Sequence, residues 1–584
     1  MIKNFLFGFV ALYLMATAFN ASANDLALIP WPQQVQPQAG SFTLTSQTRI
    51  CADWSSRQTA QFLAQRLRQS TGYPLKVHWR LFGALPQNGI LLTTKNANTN
   101  LGPEGYELLV TTNGIVIRAS TQAGLFYGGQ TLLQLLPPEI FSTNVVTENW
   151  QAPCVQIEDW PRFPWRGLML DVSRHFYKPS EVEAILDEMA VYKLNRFHWH
   201  LVDDDGWRIE IKKYPKLTQI GAWRQKVGLE RNHRTDGETN TWPAWIKPTA
   251  DKFAPDGRYG GYYTPDEIRE MVAYATTRHI MVVPEIEMPG HSGAALAAYP
   301  ELGCTGRPYE IERPGIFHGG ALDPAKPKVY TFLDDVLTET FKLFPAPYVH
   351  IGGDEVAKGV WNQYPDCQAL MKQQGIAVTN EAALQTWFTE RMVSFISAHG
   401  KTPIGWSEVM RGGLATNVVI MDWIGGGEKA AAAGHDAIMS PADPVDFAYF
   451  DHYQSTNHAV EPRAIGGYLP LRRVYAFEPM PTNLPASLQS HILGPQGNLW
   501  TEYVASLPHA QYMIFPRACA MAEVGWSAKD ARNWDDFTQR LTVDEKRLDE
   551  LGVNYRPGMS DPDVRPPPPK KSAHHHWHHK QDSD

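Results

Sequence analysis

The tightest constraint on the fold is a repeating texture that begins at Arg166. Eight compact apolar segments follow one another, separated by loops and stretches of helical period. They are GLMLDVS (167–173), RFHWHL (196–201), IMVVPEIE (280–287), YVHIGGDE (348–355), TPIGWSE (402–408), VVIMDW (418–423), DAIMSP (436–441) and ILGPQGNLW (492–500). Strands joined through helices are crossover-connected, so they lie parallel in a covered sheet. Eight strand and helix units over about 390 residues predict an α/β protein with a (β/α)8 barrel, a doubly wound sheet being the minority alternative. Ser180 with Glu183, and Thr264-Pro265 with Glu267, read as capping boxes that open helices. Stretch 223–262 reads as an enlarged loop.

Residues 24–159 have a different character. Alternating strands surround an Asn113-Gly114 turn (106–120), and helical stretches lie near 56–70 and 122–135, which predicts a small α+β domain. The expected plan is a leader at 1–23, this domain at 24–159, the barrel at 160–555 and a disordered tail at 556–584. The leader has one Lys, an apolar run from Phe5 to Phe19 and the small-residue site Ala21-Ser22-Ala23, a secretory pattern cleaved after Ala23. Its apolar run is shorter than a membrane span, so the mature chain is expected to be exported to periplasm or medium without an anchor. The tail, with RPPPPKK and HHHWHH, is too low in complexity to build a core, and the chemistry below does not need its histidines.

A net charge of -8 supplies no basic field for a polyphosphate backbone, which excludes nucleic acid as a natural partner. The five cysteines (51, 154, 304, 367, 519) form no CxxC pair. Cys51 with Cys154, or Cys304 with Cys367, are conceivable disulfides in an oxidising compartment, but spacing does not assign connectivity.

Active sites of such barrels form at the C-terminal strand ends. Here those ends carry Asp171, Ser173, Arg174 and His175; His198, His200 and Asp203–Asp205; Glu285, Glu287 and His291; Asp354 and Glu355. Further round come Trp406 with Glu408, Asp422 with Trp423, Tyr449 with Asp451, and Trp500 with Glu502. Carboxylates alternating with aromatic rings suit a polyhydroxylated neutral ligand, held by hydrogen bonds and stacking. Adjacent strand residues point to opposite faces, so Asp354 and Glu355 are poorly placed to flank an anomeric carbon as nucleophile and acid. Gly352-Gly353 can bend the strand end so that both look inward. The economical mechanism uses a substrate 2-acetamido oxygen as nucleophile, Asp354 to orient it, and Glu355 to protonate the leaving oxygen.

HIGGDE (350–355) resembles the signature of glycoside hydrolase family 20, the β-N-acetylhexosaminidases and chitobiases. RGLMLDVSRHF (166–176), NRFHWHLVDD (195–204), PEIEMPGH (284–291), Trp406, Tyr449-x-Asp451 and Trp500-x-Glu502 are similar to family motifs in family order, and 28–44 resembles the companion domain. The resemblance spans roughly residues 28–555. It implies that Asp354 holds the acetamido group and that Glu355 is acid and then base, giving net retention. It implies that Arg174 and Glu502 bind the 3- and 4-hydroxyls, and that Asp451 serves the far hydroxyls. Tyr449 would bond the acetamido oxygen, with Trp406, Trp423 and Trp500 as walls. Asp203 and His291 would relay protons to Glu355, although any of Asp203–Asp205 could instead cap the next helix. No cofactor or metal is implied, and the implied partners are N-acetylhexosamine-terminated oligosaccharides.

Two other readings compete. His198, His200, His291 and Asp354 also resemble the ligand set of a metal-dependent amidohydrolase. A catalytically inactive carbohydrate-binding protein would keep the same pocket.

Overall fold

The computed structural model describes residues 26–79, 87–225, 227, 244–307, 309–311, 320–356, 359–442, 447–457 and 461–557. The expected leader, the tail beyond Arg556-Pro557 and most of 226–243 and 312–319 lie outside the described residues. Among the described residues no helix is long and apolar enough to cross a membrane.

The described chain divides into two compact units, one of Leu26–Ala27 with Gln34–Asp159, the other of Leu28–Gln33 with the described residues from Trp160 to Pro557. Segment Leu28–Gln33, placed with the first domain by sequence, therefore groups with the barrel. There Arg540 donates to the Leu28 carbonyl at 2.6 Å, and the Trp31 amide donates to Glu523 at 3.2 Å.

The first unit is a seven-stranded mixed sheet in the order Gln34–Thr43, Gln151–Asp159, Tyr106–Thr111, Gly114–Arg118, Gly89–Thr93, Arg49–Ala52, Val77–Trp79. Its helices are Arg57–Thr71 and Gln122–Leu135. The tight turn is Thr112-Asn113, with Gly114 opening the second strand of the hairpin, one position off the sequence expectation.

The second unit is a closed barrel of eight parallel strands. They are β1 Gly167–Asp171, β2 Arg196–His200, β3 Met281–Glu285, β4 Tyr348–His350, β5 Thr402–Trp406, β6 Val419–Asp422, β7 Ala437–Met439 and β8 Ile492–Leu499. Each lies within a predicted segment. The period of two sends Met169, Val283, Ile404, Val419, Met421 and Ile438 into one buried cluster that fills the barrel together with Trp165, Trp406 and Trp500. Each such side chain contributes about 1.5–3 kcal/mol on burial.

Two local expectations change. The helix after β1 begins at Pro179, and Glu181 rather than Glu183 accepts from the Lys178 amide, because Pro179 suits the first helical position. The Thr264/Glu267 box is present as expected, both arms made. Between β5 and β6 there is only a 3-10 turn, Ser407–Met410, instead of an α-helix. The following Gly412-Gly413 and the short span to Val419 disfavour a longer helix.

Strand register sets the site. Asp171 pairs with His200, His200 with Glu285, and Glu285 with His350, so four consecutive strands end on one polar layer above the apolar core.

Candidate active site

Past His350 the chain leaves extended conformation: φ is +65° at Gly352, +92° at Gly353 and +44° at Glu355. Asp354 and Glu355 are thus freed from the opposed directions of neighbouring strand residues. A Cβ on Gly352 would stand 1.8 Å from Oε2 of Glu287, and the Gly353 amide donates to Oε1 of Glu287 at 2.8 Å. Burial, then the charges of Asp354 and Glu285, hold the Glu287 carboxyl well above the usual range, so it stays protonated beneath the turn. A left-handed non-glycine residue is strained, and such strain gathers where surrounding structure over-determines a functional conformation.

His291, itself at φ +45°, sits between two groups of acids. Its Nδ1 lies 3.1 Å from Asp203 and 3.3 Å from Asp204; its Nε2 lies 3.5 Å from Glu355 and 3.6 Å from Asp354. Burial alone would lower its pKa, but Asp203 and Asp354 raise it well above the usual value, which makes it an imidazolium. Burial also works to raise Glu355, yet the His291 hydrogen bond and charge, with Arg174 behind them, hold that carboxyl below the ordinary range. Asp354 goes the other way: burial lifts it to about 7, opposed by His291 and reinforced by Glu408 and Glu355. Neighbouring acids pushed apart in this way are suited to different roles.

Asp171 ties the ends of β1 and β8 together, accepting from the amides of Ser173 (2.9 Å), Arg174 (3.0 Å) and Thr501 (3.1 Å). Arg174 is thereby aimed at Asp203 (2.9 Å) and Asp205 (3.3 Å), with its guanidinium 5.1 Å from the centre of the Trp500 ring. Glu502 faces this cation, yet burial carries its carboxyl up to about 8. Among the described residues, Oδ1 of Asp354 and Oε2 of Glu502 find no hydrogen-bond partner. Buried acid oxygens left this way are what a polar ligand satisfies.

The rings complete the set. Trp406 and Trp500 stand 5.8 Å apart, and Trp423 lies nearly parallel to Tyr449 at 6.2 Å. Tyr449 feels the charges of Asp451, Asp354 and Glu355. Contacts and charge interactions therefore link Asp203, His291, Asp354, Glu355, Arg174, Trp406, Trp423, Tyr449, Asp451, Trp500 and Glu502 without a break. Trp406, only 1% exposed, also belongs to the barrel core and forms the floor.

Two carboxylates given no role by sequence hold the walls: Glu285 accepts from Trp406 Nε1 at 2.9 Å, and Glu408 from Trp423 Nε1 at 2.7 Å. Strand parity was the available signal, since Val283-x-Glu285-x-Glu287 and Ile404-x-Trp406-x-Glu408 continue the inward positions. The three aspartates divide the work. Asp203 contacts His200 (2.8 Å), Arg174 and His291, Asp204 caps the Gly293 amide at 2.8 Å, and Asp205 backs Arg174. The ligand set of an amidohydrolase does not converge. His198 and His200 turn to Glu285, whereas His291 turns to Asp203, Asp354 and Glu355.

Such a barrel, with paired acids of divergent proton affinity and aromatic walls at its strand ends, has the groups that acid–base chemistry on a polyhydroxylated ligand requires. The description "Glycosyl hydrolase family 20, catalytic domain" matches residues 163–529, and "Glycosyl hydrolase family 20, domain 2" matches 25–160. The chain is 40% identical over 534 residues to a beta-hexosaminidase of Porphyromonas gingivalis, covering 90% of this chain and 64% of that protein. A beta-hexosaminidase of Vibrio furnissii is 36% identical, with 87% of this chain and 77% of that protein covered. A solved Vibrio harveyi GH20 exo beta-N-acetylglucosaminidase, in complex with N-acetylglucosamine, superposes with a TM-score of 0.76 at 35% identity, covering 91% of this chain and 78% of that one. The chain belongs to glycosyl hydrolase family 20.

Proposed function

We propose that the chain is an exo-acting β-N-acetylhexosaminidase that removes terminal non-reducing N-acetylglucosamine, or N-acetylgalactosamine, from chito-oligosaccharides or related glycans with retention. The observation that carries this is the Asp354-Glu355 pair, adjacent in sequence, both within 3.6 Å of His291, with one Asp354 oxygen unpartnered among the described residues. The names and ligands of the relatives support it.

In this reading the acetamido carbonyl oxygen attacks the anomeric carbon as Glu355 gives its proton to the departing glycosidic oxygen. An oxazolinium forms, and ionised Asp354 accepts from its N–H. Glu355 then takes a proton from water, which opens the ring from the same face. Bound sugar makes this proton arrangement possible: it shields the Glu355 side chain, 36% exposed when free, from water and so raises its proton affinity. The acetamide N–H meanwhile stabilises Asp354 as an anion. His291, in reach of both, carries the proton between them. Tyr449 donates to the acetamido oxygen; Arg174 and Glu502 hold the 3- and 4-hydroxyls and Asp451 the far ones; Trp406, Trp423 and Trp500 enclose the ring. These steps use no cofactor. On the leader pattern at residues 1–23, the activity is exercised in the periplasm or medium.

The test is hydrolysis of p-nitrophenyl N-acetyl-β-D-glucosaminide against p-nitrophenyl β-D-glucoside, with and without chelator, for wild type and Glu355→Gln. Turnover of the acetamido substrate alone, indifferent to chelator and reduced about 10²–10⁴-fold in the variant, is expected. Equal turnover of both glycosides, or loss on chelation, would overturn the mechanism.

A further inference from the structure

The fold sorts the five cysteines. Cys51 and Cys154 lie on strands Arg49–Ala52 and Gln151–Asp159, four positions apart in the first sheet and so about 19 Å from one another. That pairing is excluded. Cys519 is buried against Asp544 in the second unit, its Sγ 3.5 Å from the carboxylate. Cys304 and Cys367 are different: their sulfurs and a carboxylate oxygen of Asp323 all lie within 4.8 Å of one another. Cys367 Sγ donates to Asp323 at 3.3 Å. The Cys304 hydrogen bond, then burial, hold the Cys367 thiol well above its usual range, which fits two thiols in direct contact.

We propose that Cys304 and Cys367 are a disulfide-forming pair that cross-links the chain following β3 to the helix Pro365–Gln373 following β4. A divalent ion is disfavoured at the same spot. Oδ1 of Asp323 already accepts from the Ala325 amide at 2.9 Å and from Cys367, and Oδ2 faces the Lys326 ammonium at 3.4 Å. The chemistry is thiol–disulfide exchange with a disulfide-bearing oxidant. Half-buried Cys304, as thiolate, attacks the oxidant's disulfide and displaces one of its sulfurs as a thiolate. Buried Cys367, once deprotonated, attacks the mixed disulfide. The oxidant leaves as a dithiol, having gained two electrons and two protons.

The bond braces the site. Cys367 packs in one cluster with Trp361, Met371, Leu384, Ala321 and Val356, and Val356 directly follows Glu355. Closing a loop of about sixty residues stabilises the folded state by restricting the unfolded chain. The bond forms in the cell only if the proposed export holds, so the experiment separates the two.

The full-length protein is isolated from cells and medium together, denatured, alkylated without reduction and digested for mass spectrometry. A cross-linked Cys304–Cys367 peptide, with Cys51, Cys154 and Cys519 alkylated, is expected. In parallel, reduced native protein is treated with oxidised glutathione, which asks about the geometry whatever the compartment. Cross-linking there but not in the isolated protein would overturn export and leave the pair standing. Alkylation of both cysteines after oxidised glutathione, or Cys304 bonded elsewhere, would overturn the pair. Reductant is expected to lower the Tm by about 5 °C in wild type and to leave Cys304→Ala unmoved.

Discussion

Nε2 of His291 lies 3.5 Å from Oε2 of Glu355, and the charge of that imidazolium holds the glutamate below its ordinary pKa. The same cation opposes the rise of Asp354, so the two acids titrate as a pair under its control. A neutral residue at 291 removes the attraction from both carboxylates. His291→Gln is therefore expected to move both limbs of the pH profile of kcat/KM upward by about one unit and to lower kcat at least about tenfold. Limbs that stay in place would refute this coupling.

Asp203 is shared between Arg174 at 2.9 Å and His291 at 3.1 Å. Its replacement should therefore disturb binding and proton transfer together. Asp203→Asn is expected to raise KM and lower kcat, whereas His291→Gln changes mainly kcat. Asp204→Asn supplies the contrast: asparagine still caps the Gly293 amide, so stability stays close to wild type, but the charge 3.3 Å from Nδ1 of His291 is lost and kcat falls with KM little changed. Steady-state kinetics with denaturant melts separates the three.

Gly352 has no room for a side chain, since its Cβ would stand 1.8 Å from Glu287. Gly352→Ala is expected to abolish activity and destabilise the barrel. Gly352→Ala with Glu287→Ala relieves the clash but keeps the strain of φ +65°, about 1–2 kcal/mol. Stability in the double variant should thus recover partly, measured as a double-mutant cycle.

Glu188, inside the helix Pro179–Val191, is buried with one oxygen bonded to Gln511 and the other without a partner among the described residues. Burial lifts its carboxyl from 4.5 to about 8. The folded state keeps a proton that the unfolded chain releases near pH 4.5, so this group lowers stability progressively as pH rises from 4.5 to 8. Glu188→Gln removes that dependence. Its Tm is expected to exceed that of wild type by a few degrees at pH 8 and to match it near pH 4.5, read by calorimetry.

The eight barrel strands were legible because each is a short apolar run whose neighbours in sequence set its limits. Strand parity likewise brought Trp406 and Trp500 to the rim, and Gly352-Gly353 signalled the bend that lets Asp354 and Glu355 both face inward. What failed locally failed for local reasons. Pro179 moved a helix start by two residues, and glycines left only a 3-10 turn between β5 and β6.

Other features depend on partners remote in the chain, which pattern does not encode. That Asp203 rather than Asp204 joins Arg174 to His291, that Glu287 fills the space under Gly352, and that Cys304 meets Cys367 while Cys51 lies four strands from Cys154 were all decided by closure of the barrel and by sheet order. Periodicity follows from backbone geometry within a few residues and is written in the chain itself. Proton affinities and side-chain partnerships follow from burial and from charges brought together across hundreds of residues, and these exist only once the tertiary structure has formed.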